Sequence, residues 1–321
     1  MSGRIVRLRV AAVGRFFLLL GMVTFGIFLL LELTPGNPID SILPPDATPE
    51  QIAEAKEQYG LNGSLLERYM SWLGGVVQGD FGRSFQTGGS VSEMILERVG
   101  VSVELAVLAI IVALAVSVPV GIWSAYRPRG IVDRVSSFVI AGTLATPSFV
   151  LGIVLAYVVG LKLGVLPLLG WVPFSEDPIG HIKSLILPVV TLAAAECVLF
   201  TQLLKSDMGA TLKQDHVLSA RARGLPTRSI LTRHSLRQSS FSLVTVSGVV
   251  LGRLIGGTVI VETIFSLPGL GTMVITAINA RDYIVVQAVV LLTALVYLLM
   301  NTLVDVSYPL LDPRVRKAGA R

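Results

Sequence analysis

Six apolar stretches, at residues 10–33, 101–126, 135–163, 184–204, 241–261 and 284–306, divide this chain, and each is long enough to cross a bilayer as a helix. A hydrocarbon core about 30 Å thick takes about 20 residues at 1.5 Å each. Inside lipid the backbone must satisfy its own N–H and C=O groups, so the spans are helices rather than open sheet. The expected fold class is therefore all-α: a polytopic membrane protein, one transmembrane domain over 1–321. A charged share of 15% and a mean hydropathy of +0.75 agree, since soluble domains run near a quarter charged.

Arginine and lysine set the orientation. Arg4, Arg7 and Arg9 precede the first run; Arg127, Arg129 and Arg134 follow the second; Lys205 to Arg237 follow the fourth; Arg314, Arg316, Lys317 and Arg321 close the chain. Basic residues mark cytoplasmic loops, so both termini are expected inside. Residues 35–98 form an extracytoplasmic insertion: from residue 39 they hold nine acidic residues against Lys56, Arg68, Arg83 and Arg98. Thr48 with Gln51 and Ser64 with Glu67 each make a capping box, which predicts two short helices. In the second, Leu65, Leu66, Tyr69, Trp72, Leu73 and Val76 form an apolar stripe expected to pack on a neighbouring span or the interface. A Pro-Gly-Asn-Pro turn at 35–38 ends the first span, and the glycines of 79–84 predict a tight turn.

Several function classes fall away. The net charge of +5 comes from short loops between apolar runs, not from one basic domain, so nucleic acid is not a partner. Cys197 is the single cysteine, and His181, His216 and His234, all expected in loops, lack a metal-ligand spacing. No phosphate-binding loop is present, and the scattered serines and the one membrane aspartate, Asp305, do not provide a nucleophile with a nearby base.

The polar segment 205–240 is too basic to enter the bilayer and is expected to form a structured cytoplasmic loop. Its grammar is helix, turn, helix: Asp215 can cap a short helix, Gly224 can end it in the left-handed region, and Pro226 suits the next opening turn. Ser219, Ala220 and Ala222 leave little bulk, so a partner could approach closely. The bland alternative is an ordinary basic loop.

Within the membrane three features stand out. Thr146-Pro147 breaks the third span, either as a lining of a path or as a simple kink. Glu196 lies within the fourth span, as a path carboxylate or as the structural partner of a cation, and Arg253 in the fifth is the natural candidate to meet it. Gly248, Gly252 and Gly256 at four-residue spacing predict close helix contact. From Ser266 an outside excursion is expected to run through Arg281-Asp282-Tyr283, and another from 164 to 183.

The cytoplasmic loop resembles that of the permease subunits of ATP-binding-cassette importers. Leu218, Ser219 and Ala220 stand at the family's Glu-Ala-Ala positions and Gly224 at its glycine. Asp215, His216, Val217, Ala220, Arg221, Ala222, Arg223, Gly224 and Leu225, with Arg233, His234, Leu236 and Arg237, follow the pattern of the dipeptide, oligopeptide and nickel branch. The stretches 79–84, 252–271 and 311–314 are similar to that branch too. The resemblance implies a non-catalytic permease of a bacterial or archaeal plasma membrane, half of a path for peptides or related solutes such as nickel chelates. It implies as partners a second permease, one or two ATPases carrying ATP and Mg, an extracytoplasmic binding protein and membrane lipid. This chain would bind no cofactor or metal. A secondary transporter or channel, and an exporter of the same build, are the alternatives.

Overall fold

The computed structural model describes residues 2–32, 43, 46–58 and 62–311. The Pro-Gly-Asn-Pro turn and the basic tail after 311 lie outside these residues. Among them there is no strand, only a bridge pairing Arg83 with Ser90. The helices are α1 (Ser2–Glu32), α2 (Pro49–Gln58), α3 (Leu65–Val77), α4 (Val91–Tyr126), α5 (Ile131–Ala145), α6 (Ser148–Leu155), α7 (Pro178–Thr211), α8 (Asp215–Ala222), α9 (Thr227–Ser229), α10 (Arg237–Gly257), α11 (Val259–Phe265), α12 (Leu270–Asn279) and α13 (Tyr283–Leu311). Wider π turns at Ala156–Lys162 and Ile230–Leu236 extend α6 and lead into α10.

Four helices, Val91–Tyr126, Pro178–Thr211, Thr227–Gly257 and Tyr283–Val306, are long and apolar enough to cross a membrane. Two more candidates are bent pairs: α5 with α6 and its π turn, at 102°, and α11 with α12, at 86°. Contacts decide which pair crosses. Helices α4 and α7 run parallel: Glu104 meets His181, Ala113 meets Cys197, and Gly121 meets Leu204. Parallel neighbours require the chain to return between them, so the α5–α6 pair is a crossing. Helix α10 runs antiparallel to α7, joined through Glu196–Arg253 and Thr211–Ser239. It is antiparallel to α13 too, with Gly248, Gly252 and Gly256 against Val304, Met300 and Thr293. The chain therefore leaves α10 and enters α13 at one end of the bundle, so α11–α12 is a re-entrant hairpin. The excursion expected from Ser266 is thus corrected: much of it is apolar helix, and Leu270, Met273 and Ala277 are buried against Val91, Ile95, Val285 and Val289.

Close helix approach in lipid depends on small residues, because apolar burial offers little drive there. Ala106, Ala109 and Ala113 of α4 are fully buried in the same core as Phe200, Leu204 and Met208 of α7. The three glycines of α10 serve its contact with α13 in the same chain. A Cβ on Gly248 would lie 2.6 Å from Val304 Cγ2, and one on Gly252 would lie 2.9 Å from Met300 Cβ.

Both capping boxes form. Thr48 and Gln51 exchange hydrogen bonds of 2.9 and 3.3 Å, and Ser64 and Glu67 do so at 2.8 and 3.4 Å. The backbone N–H of Ser64, then its hydroxyl, hold the exposed Glu67 carboxyl below its ordinary value. The apolar stripe of α3 docks on α1: Tyr69 bonds Thr24 at 2.8 Å and stands edge-on to Phe28.

Several expected boundaries move. Helix α4 begins ten residues before its apolar run, capped by Ser90, and α7 begins at Pro178 behind Asp177, which accepts from the Ile179 N–H. His181 is therefore a buried helical residue rather than a loop residue. His216 lies in α8, and His234 lies in the π turn before α10.

Candidate functional site

At its carboxyl end, α7 passes almost directly into α8. Gln214, not Asp215, occupies the N-cap, and Asp215 is the first helical residue, where its negative charge still faces the positive end of the helix dipole. Gly224 takes φ +75°, the left-handed conformation expected of it, and a Cβ there would meet open space. Pro226 precedes α9 by one position.

The loop residues fall into two sets. Val217 and Ala220 are fully buried, and Leu225 and His234 are half-buried behind them. Asp215, His216, Leu218, Ser219, Arg221, Ala222, Arg223 and Gly224 are exposed. The short helix thus has an anchored apolar side and an outward side of small and charged groups. Gln238 donates to Gln214 at 3.1 Å, tying the loop to α10, and Lys205 pairs with Asp133, tying α7 to α5. Asp133 also accepts the Arg129 N–H at 2.8 Å.

In the middle of the bundle the expected ion pair is present. Arg253 Nη2 donates to both carboxylate oxygens of Glu196, at 2.7 and 2.8 Å. The Glu196 side chain is 4% exposed and that of Arg253 58%. Thr146 lines a small cavity of about 240 Å³ with Ser148, Thr191, Ala194 and Ala195, while Pro147 is exposed at the bend. Beside it a larger, almost wholly apolar cavity of about 570 Å³ separates α5 from α4 and α7. The four mid-membrane residues do not form one cluster: Glu196 and Arg253 touch, and Thr146 and Pro147 belong to the neighbouring bend.

Three carboxylates organise the opposite end, and none was singled out from the sequence. Glu262 is fully buried. Its Oε1 accepts from Ser102 Oγ and Thr258 Oγ1, both at 2.6 Å, and its Oε2 accepts from the N–H groups of Gly271 at 2.7 Å and Thr272 at 3.1 Å. The last two are first-turn donors of α12, which have no partner within their own helix. One side chain thereby joins both limbs of the hairpin to α4, and Ser102 also accepts the Leu270 N–H at 2.8 Å.

Asp282 does the same for the turn at 79–90, accepting from the Ser84 hydroxyl and from the N–H groups of Phe85 and Gln86. The expected tight turn is there, with Gly79 and Gly82 at φ +83° and +90°. Glu104 bonds His181 Nε2 at 2.8 Å, while His181 Nδ1 donates to the Val172 carbonyl at 2.8 Å. The sequence signal for Glu262 was a lone acid in an otherwise apolar run two residues before Ile264-Phe265, followed by closely spaced glycines.

Comparison with known proteins identifies the family. Residues 117–317 match the family described as binding-protein-dependent transport system inner membrane component. The chain belongs to that family. Residues 1–106 match the family of amino-terminal segments of the same membrane components. The permease is 35% identical over 297 residues to a probable peptide ABC transporter permease of Sinorhizobium fredii, covering 92% of this chain and 95% of the relative. It is 34% identical over 301 residues to the oligopeptide transport system permease AppB of Bacillus subtilis, at 93% and 95% coverage. With the dipeptide transport system permease DppB of Lactococcus lactis it shares 32% over 305 residues, at 92% and 97%. The permease is a multi-pass membrane protein of the peptide branch of ABC permeases, as the resemblance of its loop implied.

Proposed function

We propose that this permease forms half of the translocation path of an ATP-driven importer for peptides or related small solutes in the cytoplasmic membrane of a bacterium or archaeon, both termini inside. A second homologous permease completes the path, and an extracytoplasmic binding protein delivers the solute. One or two ATPase subunits hold ATP and Mg, and this chain contributes no catalytic group. The names of its relatives and the family's dependence on binding proteins support import over export.

The observation that carries the reading is the outward side of α8, where Ser219 and Ala222, with Gly224 just beyond, stand among charged groups on a short helix that closely follows α7, the most deeply buried span. In this reading Asp215, His216, Arg221, Ala222, Arg223 and Gly224 meet the ATPase, while Val217, Ala220, Leu225 and His234 fix α8 to the bundle. Closure of the ATPases displaces α8, and α7 follows as a lever, taking α10 and α5 through Gln214–Gln238 and Lys205–Asp133. The bend at Thr146-Pro147 and the pair Glu196–Arg253 belong to the path.

Gly224 provides the test. Left-handed backbone costs a side-chain-bearing residue about 1–2 kcal/mol, most for a β-branched one and least for asparagine. Because no atom of the described residues crowds the position, Gly224→Val is expected to act through backbone and partner contact. Gly224→Val is expected to abolish solute-stimulated ATP hydrolysis and uptake, and Gly224→Asn to retain a large part of both. Full coupling in the Val complex would reject the assignment of α8.

A further inference from the structure

Arg253 has more hydrogen-bonding capacity than its partner uses. A guanidinium carries five N–H donors in a planar fork. Glu196 engages only Nη2, and the donors on Nε and Nη1 have no protein partner among the described residues. The side chain is 58% exposed four residues before the end of α10, opposite Glu196 near the middle of α7, where a lipid-facing charge is costly. Its surroundings carry less bulk than a lipid face. Gly257, on the same side of α10, would place a Cβ in open space, and the exposed residues of α7 near Glu196 are Ala195, Leu199 and Gln202. By contrast, α5 exposes Ile131, Val135 and Phe138.

We propose that the outward edge of Arg253 is a carboxylate subsite in the translocation path, taking the α-carboxylate of a passing peptide. Glu196 is the positioning residue: buried and bonded from one side, it holds the guanidinium plane with the other edge turned to the path. Nη1 can offer its donors to the carboxylate in a fixed plane, and a lysine would serve only as a point charge. The neutral pair also leaves the path free of a fixed net charge that would trap an anion. The inference rests on the peptide-importer reading.

The test uses the whole importer with its own binding protein in proteoliposomes, with tri-alanine and tri-alanine amide as probes. The readout is the ratio of acid to amide uptake. Selectivity of the binding protein is common to all variants and divides out. Arg253→Met strands Glu196, so the double variant Glu196→Gln/Arg253→Met accompanies it. Both are expected to lower the ratio roughly tenfold, the scale of one charge-assisted hydrogen bond, with partial recovery in Arg253→Lys. A ratio unchanged while uptake persists, or an equal fall for both probes, as a contact to the second permease would give, overturns the proposal. A wild-type complex that takes up neither probe with ATP would instead overturn the importer reading on which it rests.

Discussion

Replacing Glu262 by alanine removes the acceptor of four donors at once: two hydroxyls at 2.6 Å and two backbone N–H groups at 2.7 and 3.1 Å. A hydrogen bond to a charged group contributes about 1.5–3 kcal/mol, but the four are not additive, and water entering the vacated space recovers part. A net loss of about 3–5 kcal/mol follows, the range for breaking one side of a buried charged contact. Glutamine keeps the volume. Its carbonyl oxygen can face Gly271 and Thr272 while its amide donates to the two hydroxyls, so the loss falls to about 1–2 kcal/mol. The assay is amide exchange of α12 in the detergent-solubilised complex, which reads local opening. Alanine is expected to reduce protection there by about two to three and a half powers of ten, and glutamine by about one. Exchange in the alanine variant within threefold of wild type would refute the latch, as would glutamine proving as damaging as alanine.

Gly269→Ala is expected to destabilise by about 1–3 kcal/mol in thermal unfolding, because its Cβ would lie 2.4 Å from the Glu262 carboxyl; an unchanged midpoint would remove the collision from consideration. Asp282→Ala releases Ser84, Phe85 and Gln86 together, so limited proteolysis should begin to cut the turn at 79–90, whereas continued resistance would mean that the turn holds itself. The Glu67 carboxyl is depressed in the fold, so its contribution is fully present above the ordinary carboxyl value of 4.5 and is lost as pH falls through the lower folded value. Fraying of the first turn of α3 is therefore expected only below about pH 4.5, and exchange that already rises at pH 6 would contradict it.

Features that depend on neighbours in sequence were legible before the fold was known. The two capping boxes are i to i+3 patterns, Gly224 reports a local φ, and the break at Thr146-Pro147 is a property of proline. The Glu196–Arg253 pair was legible for another reason: two opposite charges within spans have few places to go. Helix starts were misjudged because charge marks where apolar character ends, while hydrogen bonding continues through Glu93, Glu97 and Arg98 in α4. The re-entrant hairpin could not be read, since it follows from α10 and α13 being antiparallel, just as the α5–α6 crossing follows from α4 and α7 being parallel, and both facts are carried by contacts between residues about 40 to 80 apart in sequence. Glu262 was hidden for the same reason, its donors coming from α4, its own helix and the start of α12.

That parallel pairing also sets a schedule for biogenesis. Helix α4 cannot meet its main partner until α7 has been synthesised, and at about 5–20 residues per second this is a delay on the order of ten seconds. Meanwhile α4 must reside in the bilayer, or beside the insertion machinery, with the seam of Ala106, Ala109 and Ala113 uncovered. Its composition suits the wait: from Val101 to Trp123 its only ionisable residue is Glu104, near the start of this stretch, so lipid can solvate nearly every side of it. Helix α7 then emerges carrying Glu196, whose cation comes only with α10. The interval during which the nascent permease holds an unpaired membrane charge is therefore confined to the synthesis of the loop at 205–240 and of most of α10.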